Sequence, residues 1–185
     1  MSPRSRILAA LNHRLPDRVP IDLSGHRSSG ISAIAYTKLR RFLKLPPKPI
    51  RVYDPIQQLA VVDVVRRDLL TPFGLRSLSP ADSHYKGIYS GPQFQRDQAY
   101  HQGTVWAYLI GPFVEAFLKV NSFSPDSRKT AAGFIQPLID HLTTDGCLGS
   151  VSEIFDGDSP HKPKGCFAQA WSVAELIRAY LLIHS

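Results

Sequence analysis

Residues 71–100 form a long irregular stretch punctuated by Pro72, Gly74, Pro80, Gly87, Gly91 and Pro92. Loops of this length are uncommon in compact domains unless they have a function. A second such stretch, residues 147–166, is dense in Gly, Asp and Pro. The segments between and after them read as helices. Residues 104–120 are strongly apolar, with an interruption at Gly111-Pro112. The next helix is capped by Asp126, runs to about Leu142 and bends at Pro137, where proline removes a backbone donor. The last, residues 169–183, is apolar enough to be buried. No strand alternation is visible past residue 70, so helices joined by elaborate loops are expected there.

The first third has a different rhythm. Residues 4–13 read as a short helix with Ile7, Leu8 and Leu11 on one side. Pro16 and Pro20 end it, and residues 19–23 look extended. A polar turn, residues 24–30, leads into residues 31–45, where Ile31, Ile34, Ala35, Leu39, Phe42 and Leu43 share a helical face. Pro46-Pro47-Lys48-Pro49 closes that helix. Residues 50–53 are extended, and a further helix covers roughly 55–70. The pattern is a leading helix followed by two β–α steps.

Charge divides the chain in the same way. Residues 1–62 hold 11 Lys/Arg against 3 Asp, a net +8, and residues 63–185 hold 11 against 12, a net −1. A chain of 185 residues has room for one domain or two small ones, and 43% apolar content describes an ordinary globular protein. No run of 18 apolar residues supports a membrane span. The apolar stretch behind the basic N-terminus is too short for a signal peptide. Cys147 and Cys166 make no disulfide framework, so a cytoplasmic location is expected.

Two sets of motifs carry resemblances. Arg4-Ser5-Arg6-Ile7-Leu8-Ala9-Ala10-Leu11-Asn12-His13, followed by Pro16-Asp17-Arg18-Val19-Pro20-Ile21-Asp22, resembles the start of the uroporphyrinogen decarboxylase superfamily, most of all its corrinoid-methyltransferase-like branch. Those proteins are TIM barrels, which implies that Asp17-Arg18-Val19-Pro20 leads into a first barrel strand. The decarboxylases continue with Arg-Gln-Ala-Gly-Arg. Here Ser24-Gly25-His26-Arg27-Ser28-Ser29-Gly30 stands in its place, and only Arg27 could bind a carboxylate.

From about residue 61 onward the chain resembles the C-terminal amylo-α-1,6-glucosidase region of glycogen debranching enzymes. The matching pieces are Leu70-Thr71-Pro72-Phe73-Gly74-Leu75-Arg76, Tyr85-Lys86-Gly87-Ile88-Tyr89-Ser90-Gly91, and Tyr100-His101-Gln102-Gly103-Thr104-Val105-Trp106. Further on come Gly149-Ser150-Val151-Ser152-Glu153-Ile154-Phe155-Asp156-Gly157-Asp158, Gly165-Cys166 and Gln169-Ala170-Trp171-Ser172. The chain therefore reads as a composite of residues 1–62 and 63–185: a natural fusion, a rearranged gene or an artefact of gene assembly. The fold expected is mainly α: part of an (α/α)6 glucoamylase-like toroid, preceded by a short α/β segment of the kind that starts a TIM barrel.

Glycoside hydrolysis usually takes two carboxyl groups, one protonating the leaving oxygen and one activating water. The resemblance implies that Glu153 is the general base, the alternative being a solvated loop glutamate. No residue here matches the family's general acid. Asp156 and Asp158 match the base's own loop. The resemblance further implies a glucose-binding wall of His101, Gln102 and Trp106, with Arg76 and Trp171 nearby. Trp106 and Trp171 would serve equally as core packing. The family continues this stretch as Val-Trp-Pro-Trp, whereas Ala107-Tyr108 follow Trp106 here.

Other chemistry finds no footing. There is no phosphate-binding loop or dinucleotide fingerprint, and Cys147, His161 and Cys166 lack a fourth ligand at zinc-like spacing. No cofactor is implied. Lys38, Arg40, Arg41 and Lys44 make a solvated basic face before they make a nucleic-acid site. The expected partner is an α-glucan or glucose, not nucleic acid or membrane. A TIM barrel takes ~250 residues, and a twelve-helix toroid needs ~190 at ~11 residues per helix and ~5 per loop. Neither closes within its share of the chain, so exposed apolar faces and self-association are expected.

Overall fold

The computed structural model describes residues 40–46 and 54–185, and the chain divides into two compact units, Met1–Val52 and Tyr53–Ser185. The expectations for residues 1–39 and 47–53, Arg27 among them, lie outside the described residues. In the first unit, residues 40–42 are helical. The Arg40 guanidinium donates from Nε to the Pro46 carbonyl at 3.0 Å.

The second unit opens with α1, Pro55–Asp68. Asp54 accepts from the Gln57 N–H at 2.8 Å and Gln57 Oε1 accepts from the Asp54 N–H at 3.2 Å, a reciprocal cap with Pro55 in the first turn. Residues 62 and 63 both lie within this helix.

Five short strands follow at intervals: β1 Leu70–Thr71, β2 Gly74–Arg76, β3 Val105–Trp106, β4 Ile154–Phe155 and β5 Pro163–Lys164. They pair antiparallel in chain order, with Leu75 opposite Trp106, Trp106 opposite Ile154, and Phe155 opposite Pro163. This sheet was not expected. Strands of two or three residues are too short to display an alternating pattern. They stitch together the long loops that the sequence shows only as irregular. Gly74 makes the β1–β2 turn possible: its φ is +131°, and a Cβ there would sit 2.5 Å from the Trp106 carbonyl oxygen.

Between the strands run α2, Gln93–Ala99, a 3-10 turn at Ala107–Leu109, α3 Ile110–Val120, α4 Pro125–Thr144 and, last, α5 Ala170–His184. Helix α2 falls in a stretch expected to be irregular. Gly111-Pro112 does not interrupt α3 but lies in its first turn, where a missing N–H costs nothing. The cap of α4 is Ser124 and not Asp126. Its hydroxyl oxygen accepts from the Ser127 N–H at 3.3 Å, with Pro125 and Asp126 both inside the first turn. Pro137 lies within α4, whose span is unbroken.

Helices α3, α4 and α5 pack against one another and form the core. Ile110, Val114 and Leu118 of α3 meet Ala131, Ile135 and Leu138 of α4 and Leu176, Ala179 and Ile183 of α5. Arg178 of α5 donates to Glu115 of α3 at 2.6 Å and to Glu175 at 2.7 Å, tying the two helices. Helix α5 is not buried all round. Trp171, Ile177, Tyr180 and Leu181 are exposed, as are Ile56, Leu59 and Val64 of α1. Among the described residues no helix is long and apolar enough to cross a membrane.

Phe155 joins sheet to helices. It is fully buried, stacks on Phe73 at 4.7 Å and meets the edge of His141 at 5.1 Å. Phe155→Ala is expected to lower stability by about 3–5 kcal/mol in urea unfolding, since the cavity adds to the lost transfer energy.

His141 supplies a pH dependence. It is buried on α4 beside a cavity of about 400 Å³ lined also by Phe73, Asp140, Asp145 and His161, and its Nε2 lies 3.3 Å from Ser152 Oγ. Burial holds its pKa below the ordinary 6.5, and the Asp145 charge offsets part of that. As pH falls through 6.5, the unfolded chain takes up a proton that the folded chain resists. Stability is therefore expected to fall below that pH and to level off once the folded-state value is passed. Urea midpoints across pH 5–8 check this, and His141→Phe should flatten the His141 part of the slope.

Candidate functional site

Glu153 stands immediately before β4 and is held by the Gly165-Cys166 segment that leads out of β5. Its backbone N–H donates to the Cys166 carbonyl at 2.9 Å, and its Oε2 accepts from the Cys166 N–H at 2.8 Å. The adjacent Gly165 has φ +68°, and a Cβ on it would lie 2.5 Å from Glu153 Oε2. Glycine thus lets the backbone come close enough to hold the carboxylate. The second oxygen, Oε1, accepts from the Tyr100 hydroxyl.

Tyr100 is the C-cap of α2 and the hub of an aromatic array. Its carbonyl accepts from Trp106 Nε1 at 3.1 Å and from the Thr104 hydroxyl at 2.5 Å. Its ring lies 4.8 Å from both His101 and Trp106 and 5.8 Å from Tyr89. His101 stacks parallel on the Trp106 indole at 5.2 Å. Trp106 meets Trp171 edge-on at 6.1 Å, and Trp171 stacks on Tyr108 at 4.5 Å. Trp106 is 6% exposed and Trp171 46%. One indole is therefore a core group, and the other can offer a face to a ligand. Burial, and then the hydrogen bond and charge of Glu153, raise the Tyr100 phenol far above its ordinary 10.0.

Glu153, His101, Trp106 and Trp171 thus belong to one connected cluster, joined through Tyr100. Arg76 and Gln102 do not join it through their side chains. Arg76 Nε donates to the Gly157 carbonyl at 2.9 Å, and Gln102 enters through its own carbonyl, which accepts from the Lys86 N–H at 2.6 Å. Asp156 and Asp158 are likewise committed to loop contacts: Asp156 Oδ1 accepts from the Tyr89 N–H at 2.8 Å, and Asp158 Oδ1 from the Tyr85 hydroxyl at 2.9 Å. These bonds, with Arg76, fasten residues 85–89 to residues 156–158. A Cβ at Gly87 would sit 2.2 Å from Asp158 Oδ2, so the two loops are in close contact.

Sequence reasoning did not single out Tyr100 or Tyr108. Tyr100 heads the Tyr100–Trp106 run, but its carboxylate partner is 53 positions away and is brought near only by the pairing of β3 with β4. Among the described residues no group of three or more metal-ligating side chains is positioned to hold a metal ion.

The described residues form a mainly helical scaffold whose long loops carry this carboxylate and its aromatic array. The amylo-alpha-1,6-glucosidase family model matches residues 43–178, and the chain belongs to that family. The match starts inside residues 1–62. Among its relatives is the glycogen debranching enzyme of Saccharomyces cerevisiae, 35% identical over 72 residues, a stretch that covers 36% of this chain and 5% of the yeast enzyme.

Proposed function

We propose that this chain carries the base side of a glucosidase site, with Glu153 activating water and Trp171, backed by the buried Trp106, receiving a glucose ring from an α-1,6-linked glucan. The observation that supports it best is the setting of Glu153. The carboxylate is held at both oxygens by neutral donors, and an aromatic array runs from it to the half-exposed face of Trp171. Carboxylates oriented in this way accept a proton from water, while aromatic faces receive the apolar side of a sugar.

The 185 residues hold no counterpart of the family's general acid, and Asp156 and Asp158 are taken up by loop contacts. The chain alone should therefore leave ordinary α-1,6-glucosides intact, the missing proton donor costing about 10²–10⁴ in rate. α-D-Glucosyl fluoride tests the base alone, because fluoride is a weak base and departs without protonation. The chain is expected to hydrolyse it slowly and to lose that activity on Glu153→Gln.

A second reading, a glucan-binding module without catalysis, is favoured by the exposure of Trp171. Maltooligosaccharide titration followed by tryptophan fluorescence separates the cases. Binding without fluoride hydrolysis supports the module, and no change at millimolar sugar counts against both readings. For residues 1–62 the reading remains the decarboxylase-like likeness carried by residues 4–13 and Asp17-Arg18-Val19-Pro20, although the glucosidase family match already begins at residue 43.

A further inference from the structure

We propose that Tyr100 is the positioning residue of the Glu153 carboxylate and couples its orientation to the aromatic wall; this rests on the reading of Glu153 as the base. Three observations support it. The two carboxylate oxygens are held from different segments, Oε1 by the Tyr100 hydroxyl and Oε2 by the Cys166 N–H at 2.8 Å. The carboxylate plane cannot turn without breaking one of these bonds. Tyr100 is itself fixed at its backbone, where its carbonyl accepts from Trp106 Nε1 at 3.1 Å and from the Thr104 hydroxyl at 2.5 Å. Its ring then touches Trp106 and His101, each at 4.8 Å, so a displacement of the indole reaches the carboxylate through a single residue.

The choice of a phenol matters. A lysine or arginine could hold Oε1 as firmly, but its positive charge would weaken the carboxylate as a base. The neutral hydroxyl orients the carboxylate without placing a full positive charge beside it. Burial and the neighbouring Glu153 charge keep the phenol protonated, with a smaller contribution from Tyr89. During water activation the proton moves from water to a carboxylate lone pair left free by the two donors, since each oxygen has two. The Tyr100 proton stays on Tyr100.

The test uses the full chain with tyrosine labelled at Cζ by 13C. Comparison with Tyr100→Phe assigns the Tyr100 signal, and a pH titration follows the wild type and Glu153→Gln. In the wild type the Tyr100 signal is expected to stay unshifted while exposed tyrosines titrate. In Glu153→Gln its titration should move down by about one pH unit or more, the size of a neighbouring-charge effect. On α-D-glucosyl fluoride, Tyr100→Phe should lower kcat about 10-fold with KM changed less than about 3-fold, the signature of lost positioning rather than lost binding. A Tyr100 signal that titrates with the exposed tyrosines and ignores Glu153→Gln overturns the proposal, whatever the kinetics. Fluoride hydrolysis that survives Glu153→Gln overturns instead the reading of Glu153 as base. If Tyr100→Phe proves unstable, the signal still present in Glu153→Gln is identified by its shift relative to wild type, and that arm decides alone.

Discussion

Glu153→Gln is expected to lower α-D-glucosyl fluoride hydrolysis by about 10²–10⁴-fold, the range for removing a general base. The substitution keeps shape and volume, and the Tyr100 hydroxyl can still donate to the amide oxygen. What disappears is the charge, the lone pair that would take water's proton, and the bond from the Cys166 N–H, which the amide NH2 cannot accept. Binding should survive, because the aromatic array is untouched, so the loss should appear in kcat with KM nearly constant. Parallel fluorescence titration with maltooligosaccharide checks that the wall remains. A variant that loses binding and turnover together would point to a structural carboxylate, one that merely pins Tyr100 and Cys166.

Gly165→Ala should do nearly as much damage by a different route. The residue sits at φ +68°, where a side chain strains the backbone, a penalty of roughly 1–3 kcal/mol. Its methyl would also lie 2.5 Å from Glu153 Oε2 and 3.0 Å from Ile154 Cγ1, so the carboxylate must move. A displacement of about 1 Å at a reacting group costs on the order of 10²-fold in rate. Gly149→Ala is the matched control. That glycine also has positive φ, +81°, but nothing lies within 4 Å of its Cβ position. It should lose stability by the backbone strain alone and leave fluoride hydrolysis unchanged. Urea unfolding and initial rates on both variants separate strain from displacement.

The helices were the legible part of the fold, for reasons visible in single residues. Asp54-Pro55 with Gln57 is a cap written in adjacent positions, and α5 ends within a residue of its expected limit. Asp126, expected to cap α4, lies inside its first turn, and the Ser124 hydroxyl two residues earlier holds the capping role. Gly111-Pro112 reads as a break in sequence because the start of α3 cannot be located without the 3-10 turn that precedes it.

The sheet was illegible. Its strands are too short for a period, and their partners lie in distant loops. That had a direct consequence for the site. Motif likeness points to Glu153, His101, Trp106 and Trp171, and the pairing of Trp106 with Ile154 brings the Glu153 segment to the Tyr100–Trp106 segment. Arg76 and Gln102 were grouped with them because they lie in the same motifs, yet their bonds serve the Gly157 loop and the Lys86 backbone. Tyr100 was passed over because a tyrosine's hydrogen-bond partner is set by tertiary register and leaves no local mark.

One comparison tests whether Glu153 works as a base with no acid beside it. The wild-type chain is incubated with α-D-glucosyl fluoride and, separately, with isomaltose, and the products are followed by NMR with resolution of the glucose anomers. Slow release of β-glucose is expected from the fluoride and none from the α-1,6-linked disaccharide. Hydrolysis of isomaltose at a rate comparable to the fluoride would overturn the proposal, since that reaction needs a proton donor in the site.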